Sequence, residues 1–198
     1  MIKAIIFDIG GVIVNTDSFV NKWSRIFKPK NKREFWQDLN QEMLPLCRGD
    51  ITEKQFWKNV AEKYKVDSKL VPSSLLREDF KKSLKINRQL LKTIKNLKSK
   101  YKIAVISNII KHHSDENRKI GLYDHFDHIV LSFEVKMTKD SKKIFLLALE
   151  KLKAKPNECI FVDDVKKFID TAKSVGMKTI LFRNNRQFHS DLKRLLNN

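Results

Sequence analysis

The sequence predicts an α/β protein, a parallel sheet flanked by helices with a helical unit inserted after the first strand, and three observations carry that prediction. Five short β-branched or aromatic runs, Ile2–Phe7, Ile103–Ile106, Ile129–Leu131, Cys159–Val162 and Thr179–Phe182, have the length and apolarity of buried strands. Helical-period segments lie between the later runs, so strand and helix alternate as they do around a parallel sheet. The stretch from about 16 to 85 breaks that rhythm, carrying all three tryptophans (Trp23, Trp36 and Trp57) and no convincing β run.

In the insertion, Asp50-Ile51-Thr52-Glu53 reads as a turn into a helix bearing Phe56, Trp57 and Val60. Pro72-Ser73-Ser74 reads as a break with a serine cap ahead of Leu75-Leu76. Tryptophans at helical spacing are packing residues before they are pocket residues, so at least two of the three are assigned to the core. After the insertion, 87–97 has Leu90, Leu91, Ile94 and Leu97 at helical spacing, and 141–152 has Ile144, Phe145, Ala148, Leu149 and Leu152. There is no internal repeat and no Pro/Gly/Ser linker, so the insertion is expected to pack on the core. The division is a core of 1–15 and 86–198 and a helical cap of 16–85.

With 198 residues, 41% of them hydrophobic and 32% charged, the chain suits one globular domain with a modest insertion. The N-terminal apolar run is too short for a signal segment and is stopped by Asp8. No run of about 18 apolar residues occurs anywhere, which places the protein in the cytoplasm with no membrane partner. Cys47 and Cys159 stand far apart without CxxC spacing, which argues against a disulfide framework or a cysteine zinc site. The net charge of +18 invites a polyanion. Its lysines, however, are scattered in pairs such as Lys81-Lys82, Lys142-Lys143 and Lys166-Lys167, the pattern of solvated faces, so nucleic acid ranks below a small phosphorylated metabolite as partner.

Ligands of open α/β sheets bind beyond the carboxyl ends of the strands. There the first run delivers Asp8, followed by Gly10-Gly11, which permit a tight loop. The second ends in Ser107-Asn108, a hydroxyl and an amide suited to phosphoryl oxygens. The third leads to Lys139, a cation able to neutralise phosphate, and the fourth ends in Asp163-Asp164, paired acids that suit a hard divalent ion. Nucleophile, phosphate donors, cation and metal site together make the inventory for phosphoryl transfer through an aspartyl phosphate.

These four segments, Phe7-Asp8-Ile9-Gly10-Gly11-Val12-Ile13, Ser107-Asn108, Lys139 and Phe161-Val162-Asp163-Asp164, resemble in order the motifs of the haloacid dehalogenase superfamily. Arg48-Gly49-Asp50-Ile51-Thr52 in the cap and Ala172 with Gly176-Met177 are similar to its spacers. The resemblance implies a three-layer Rossmann-like core with a helical cap, as a monomer or homodimer. It also implies Asp8 as nucleophile, Ser107, Asn108 and Lys139 around the phosphoryl group, and Mg²⁺ held by Asp8, the Gly10 carbonyl, Asp164 and Asp163. The dehalogenases proper need no metal and lack the paired acids, so Asp163-Asp164 favours phosphate chemistry.

Two positions depart from the pattern. Gly10 stands where most phosphatases of the family have a second aspartate that protonates the leaving alkoxide. The Asp-x-Gly form resembles sugar-phosphate phosphatases such as α-glucose-1-phosphate phosphatase. His113 and Asp17 are candidate replacement acids, although a solvated loop position is the simpler reading of each. Asp140 stands where the family has proline, its charge beside Lys139. The competing expectation is a non-catalytic family member that binds a partner such as RNA through its basic surface.

Overall fold

The computed structural model describes residues 1–15, 23–72, 76, 80 and 84–197. Its centre is a five-stranded parallel sheet, built from β1 (Ala4–Phe7), β4 (Lys102–Ser107), β5 (His128–Leu131), β6 (Cys159–Asp163) and β7 (Lys178–Leu181) in the order β5-β4-β1-β6-β7. These are the five predicted strands, displaced by a residue or two at their ends. β1 lies in the middle, every side chain fully buried, which is why it reads as an unbroken apolar run.

Period-2 alternation sends Ile5, Phe7, Ile103, Val105, Ile160 and Val162 to one face of the sheet. There they meet Leu90 and Ile94 of α3 (Arg88–Leu97) and Phe188 and Leu192 of α8 (Asn185–Asn197). Ala4, Ile6, Ala104, Ile106, Cys159 and Phe161 face the other way. They pack on Ile144, Phe145 and Ala148 of α6 (Lys142–Leu152) and on Phe168, Ile169 and Ala172 of α7 (Lys166–Ser174). Two packed faces make the predicted three layers.

The insertion contributes a helical segment at 23–27, α1 (Lys32–Arg48) and α2 (Glu53–Lys63). Asn31 caps α1 by accepting from the backbone N–H of Arg33 and Glu34, at 2.9 and 3.3 Å, and Thr52 caps α2 through Gln55 N at 3.2 Å. Trp23, Phe27, Phe35, Trp57 and Tyr64 interlock with ring centroids 5.0 to 6.0 Å apart. Trp23 and Trp57 are buried as expected and Trp36 is half-buried. The Pro72-Ser73-Ser74 break and its serine cap fall partly outside the described residues.

This helical unit is continuous with the core. Its aromatics join the cluster on the β1 face, and Ser132 Oγ, 2.9 Å from the N–H of Ile109 that it accepts, donates to the Cys47 carbonyl at 2.7 Å. One element is invisible in the sequence: a ribbon in which β2 (Val14–Asn15) pairs antiparallel with β3 (Lys85–Ile86). It lies where the chain leaves the core and returns, and two residues are too few to show a period. A helical turn, α5 (Ser132–Val135), follows β5 and leads toward Lys139.

Candidate active site

The register of the sheet levels the strand ends. Phe7 pairs with Val105 on one side and Val162 on the other, and Asp8 N donates to Val162 O at 2.9 Å, so Asp8, Ser107 and Asp163 emerge along one edge. The chain after Asp8 then folds tightly, with the N–H groups of Ile13 and Val14 both donating to Ile9 O at 2.8 Å. Gly11 takes φ +76°, and a Cβ there would sit 2.1 Å from Asp164 Oδ2. Only glycine allows both that backbone and the approach of Asp164 to the loop.

Lys139 is the electrostatic centre. Its side chain is 1% exposed, and Nζ lies 2.6 Å from Asp163 Oδ2 and 2.8 Å from Asp8 Oδ2. Phe168 places its ring centroid 4.8 Å from the ammonium, a contact with no signal in the sequence. Asn108 fixes the loop that delivers the lysine, its Oδ1 accepting from Lys139 N at 2.9 Å, while its Nδ2 is buried without a partner. Such an orphaned donor is costly unless a ligand oxygen meets it. Asp140, feared as a competitor for Lys139, turns outward and accepts from Thr138 Oγ1 at 2.6 Å.

Asp8, Asp163 and Asp164 bring carboxylate oxygens within 4.8 Å of one another. One lysine offsets one of these three charges. Burial, together with the carboxylates of Asp8 and Asp164, pushes Asp163 upward despite Lys139. Burial opposes the charge on Lys139, yet Asp163 and Asp8 outweigh it and hold the ammonium above its ordinary range. The raised ammonium reports excess negative potential, and an all-oxygen donor set with that excess fits Mg²⁺. Asp163 is committed at both oxygens, since its Oδ1 accepts from Val165 N at 2.8 Å and its Oδ2 from Lys139.

Asp8, Gly10, Ser107, Asn108, Lys139 and Asp164 line one cavity of about 150 Å³ at the junction of core and insertion. Asp163 lies beneath, behind Lys139. His113 also lines the cavity, but it is no solvated loop residue. It sits on α4 (Lys111–Lys119) with its ring stacked on Phe80 at 4.0 Å and its Nε2 3.1 Å from Leu76 O, to which that nitrogen must donate. Burial pushes its pKa down to about 4, so at neutral pH it holds no proton to spare. Asp17 lies outside the described residues. Asn40 of α1 also reaches the cavity, and nothing in its sequence surroundings sets it apart.

A family model for haloacid dehalogenase-like hydrolases matches residues 5–182. Bifunctional epoxide hydrolase 2 of Rattus norvegicus is 30% identical over 164 residues, 76% of this chain and 30% of that protein, so the chain spans under a third of that relative's length. A phosphorylated carbohydrates phosphatase of Thermotoga maritima is 27% identical over 188 residues, 90% of this chain and 83% of that protein. The solved structure of a HAD family enzyme from Bacteroides thetaiotaomicron, in complex with magnesium and inorganic phosphate, aligns with a TM-score of 0.68 at 24% identity, covering 92% of this chain and 95% of that one. At that identity the likeness shows the fold. Among the described residues no helix is long and apolar enough to cross a membrane.

Proposed function

The chain belongs to the haloacid dehalogenase-like hydrolase family, whose model matches it over residues 5–182, and from that premise we propose that it is a magnesium-dependent phosphatase of small phosphate monoesters. The observation that carries the reading is the convergence of Asp8, Lys139, the orphaned Asn108 amide and Asp164 on one cavity. The phosphatase named among its relatives supports the same class of reaction.

Asp8 attacks phosphorus, the bond to the ester oxygen breaks, and the phosphoryl group is carried on the carboxylate until water hydrolyses it. Lys139 orients Asp8 through Oδ2 and, with Ser107 and the Asn108 amide, receives the phosphoryl oxygens. Asp8, the Gly10 carbonyl and Asp164 would hold Mg²⁺, with Asp163 supporting from behind through Lys139. When bound, the ion offsets the charge that would otherwise keep an anionic nucleophile from an anionic ester. Asp163 keeps Lys139 charged and pointed. Among the described residues Gly10 offers no proton and His113 has committed its own; with these alone the departing oxygen draws its proton from water, and rates fall as the leaving alcohol becomes less acidic.

Phosphate release from p-nitrophenyl phosphate and acetyl phosphate, with Mg²⁺ or with EDTA, tests this. Turnover that needs the metal and is lost in Asp8→Asn is the expected result. No turnover of either compound would overturn the reading in favour of a polyanion-binding protein.

A further inference from the structure

The cavity above Asp8 has a polar floor and apolar walls. The insertion supplies Trp23, Trp36, Met43, Leu44, Leu76 and Phe80, and among the described residues the one amide or charged side chain it contributes is Asn40. His113, also in the wall, already donates Nε2 to Leu76 O and has a ring face covered by Phe80. Resting on the phosphatase reading, we infer that the preferred ester carries an apolar leaving group, a short alkyl chain, and that these insertion side chains select it over hydroxylated alcohols of the same length.

Two costs set the preference. A polyol entering the cavity sheds the water on each hydroxyl, and among the described residues Asn40 is the one amide or charged side chain the insertion offers in exchange, so its further hydroxyls lose more than they regain. An alkyl group loses no hydrogen bonds and gains contact with Trp36, Met43, Leu76 and Phe80. Size acts in the same direction. An apolar cavity of about 150 Å³ accommodates a benzene-sized guest, and here the phosphoryl group shares the space, which leaves room for roughly four carbons before the chain must project outward. The phosphorylated carbohydrates phosphatase among the relatives therefore does not set the substrate of this chain.

The test compares butylphosphonate with 3,4-dihydroxybutylphosphonate by calorimetric titration in the presence of MgCl₂. The two probes are equally long, cannot be hydrolysed and differ only in hydroxyls, so the readout does not depend on turnover. Butylphosphonate is expected to bind on the order of 10- to 100-fold more tightly, and Leu76→Asn is expected to erase most of that ratio. Equal affinities, tighter binding of the diol, or no binding of either probe overturns the inference. Acetyl phosphate, whose methyl group makes little use of the walls, reports separately on the reaction. If it is hydrolysed while the phosphonates show no preference, the specificity fails and the phosphatase stands. If butylphosphonate is preferred while neither acetyl phosphate nor p-nitrophenyl phosphate is hydrolysed, the phosphatase reading fails and the apolar selectivity of the cavity stands.

Discussion

Replacing Lys139 with methionine isolates the electrostatics of the site. The ammonium is buried, 2.6 Å from Asp163 and 2.8 Å from Asp8, and the replacement keeps the length and apolar stem while deleting the charge. Asp163, itself fully buried, then keeps one backbone hydrogen bond and no cation. Removing one partner of a buried pair costs about 3–5 kcal/mol, because Asp163 must then either stay charged without a partner or take up a proton. That is a large part of the roughly 5–15 kcal/mol that stabilises a domain. Urea unfolding followed by circular dichroism reads the loss at pH 7 without metal. Lys139→Met with Asp163→Asn should recover about 2 kcal/mol or more of it, since the neutral amide no longer strands a charge. Mg²⁺ should stabilise the single variant more than the wild type, because more negative charge awaits it. A single-variant loss below about 1 kcal/mol, or a double variant whose losses simply add, would refute the view of Lys139 as the clamp on two carboxylates.

Three further outcomes follow from the same geometry. Gly11→Ala puts a Cβ into Asp164 and an alanine at φ +76°, so it should lower stability by about 1–2 kcal/mol and weaken Mg²⁺ binding in a metal titration. Unchanged metal affinity would remove Asp164 from the ligand set. His113 is neutral in the folded protein down to about pH 4 and titrates near 6.5 when unfolded, so below pH 6.5 only the unfolded chain gains the proton and stability falls with pH. Relative to pH 7.5, His113→Phe should therefore gain on the wild type by about 2 kcal/mol at pH 5 in urea midpoints; parallel pH curves would show that the ring is solvated. Lys153 ends α6 at φ 51°, where Lys153→Gly should raise the unfolding free energy by about 0.5–1 kcal/mol, and a loss of stability would mean the lysine side chain supports that turn.

The core strands and the chemistry at their ends were legible in the sequence because both are local signals. A strand buried on both faces must be an apolar run, and the residue that ends it must stand at the sheet's edge, so Asp8, Ser107 and Asp163 could be placed from their neighbours alone. Gly11 was legible for a related reason, since a tight loop against a carboxylate admits no Cβ. The two-residue ribbon β2–β3 was not, because its pairing joins positions about seventy residues apart and is too short to leave a pattern.

Tertiary structure alone decided what those residues do to one another. Lys139 and Asp140 are adjacent in sequence, yet one turns inward to two carboxylates and the other outward to Thr138, a divergence set by the loop that Asn108 pins. His113, a candidate acid more simply read as a solvated loop residue, is a neutral wall because Phe80 and Leu76, more than thirty positions away, close over it. The apolar character of the cavity likewise comes from insertion side chains that acquire meaning only by facing Asp8. Hydrophobic period and strand-end identity are written within a few residues. Charge pairing, desolvation and cavity shape depend on distances between segments remote in the chain, and packing of the whole sets those distances.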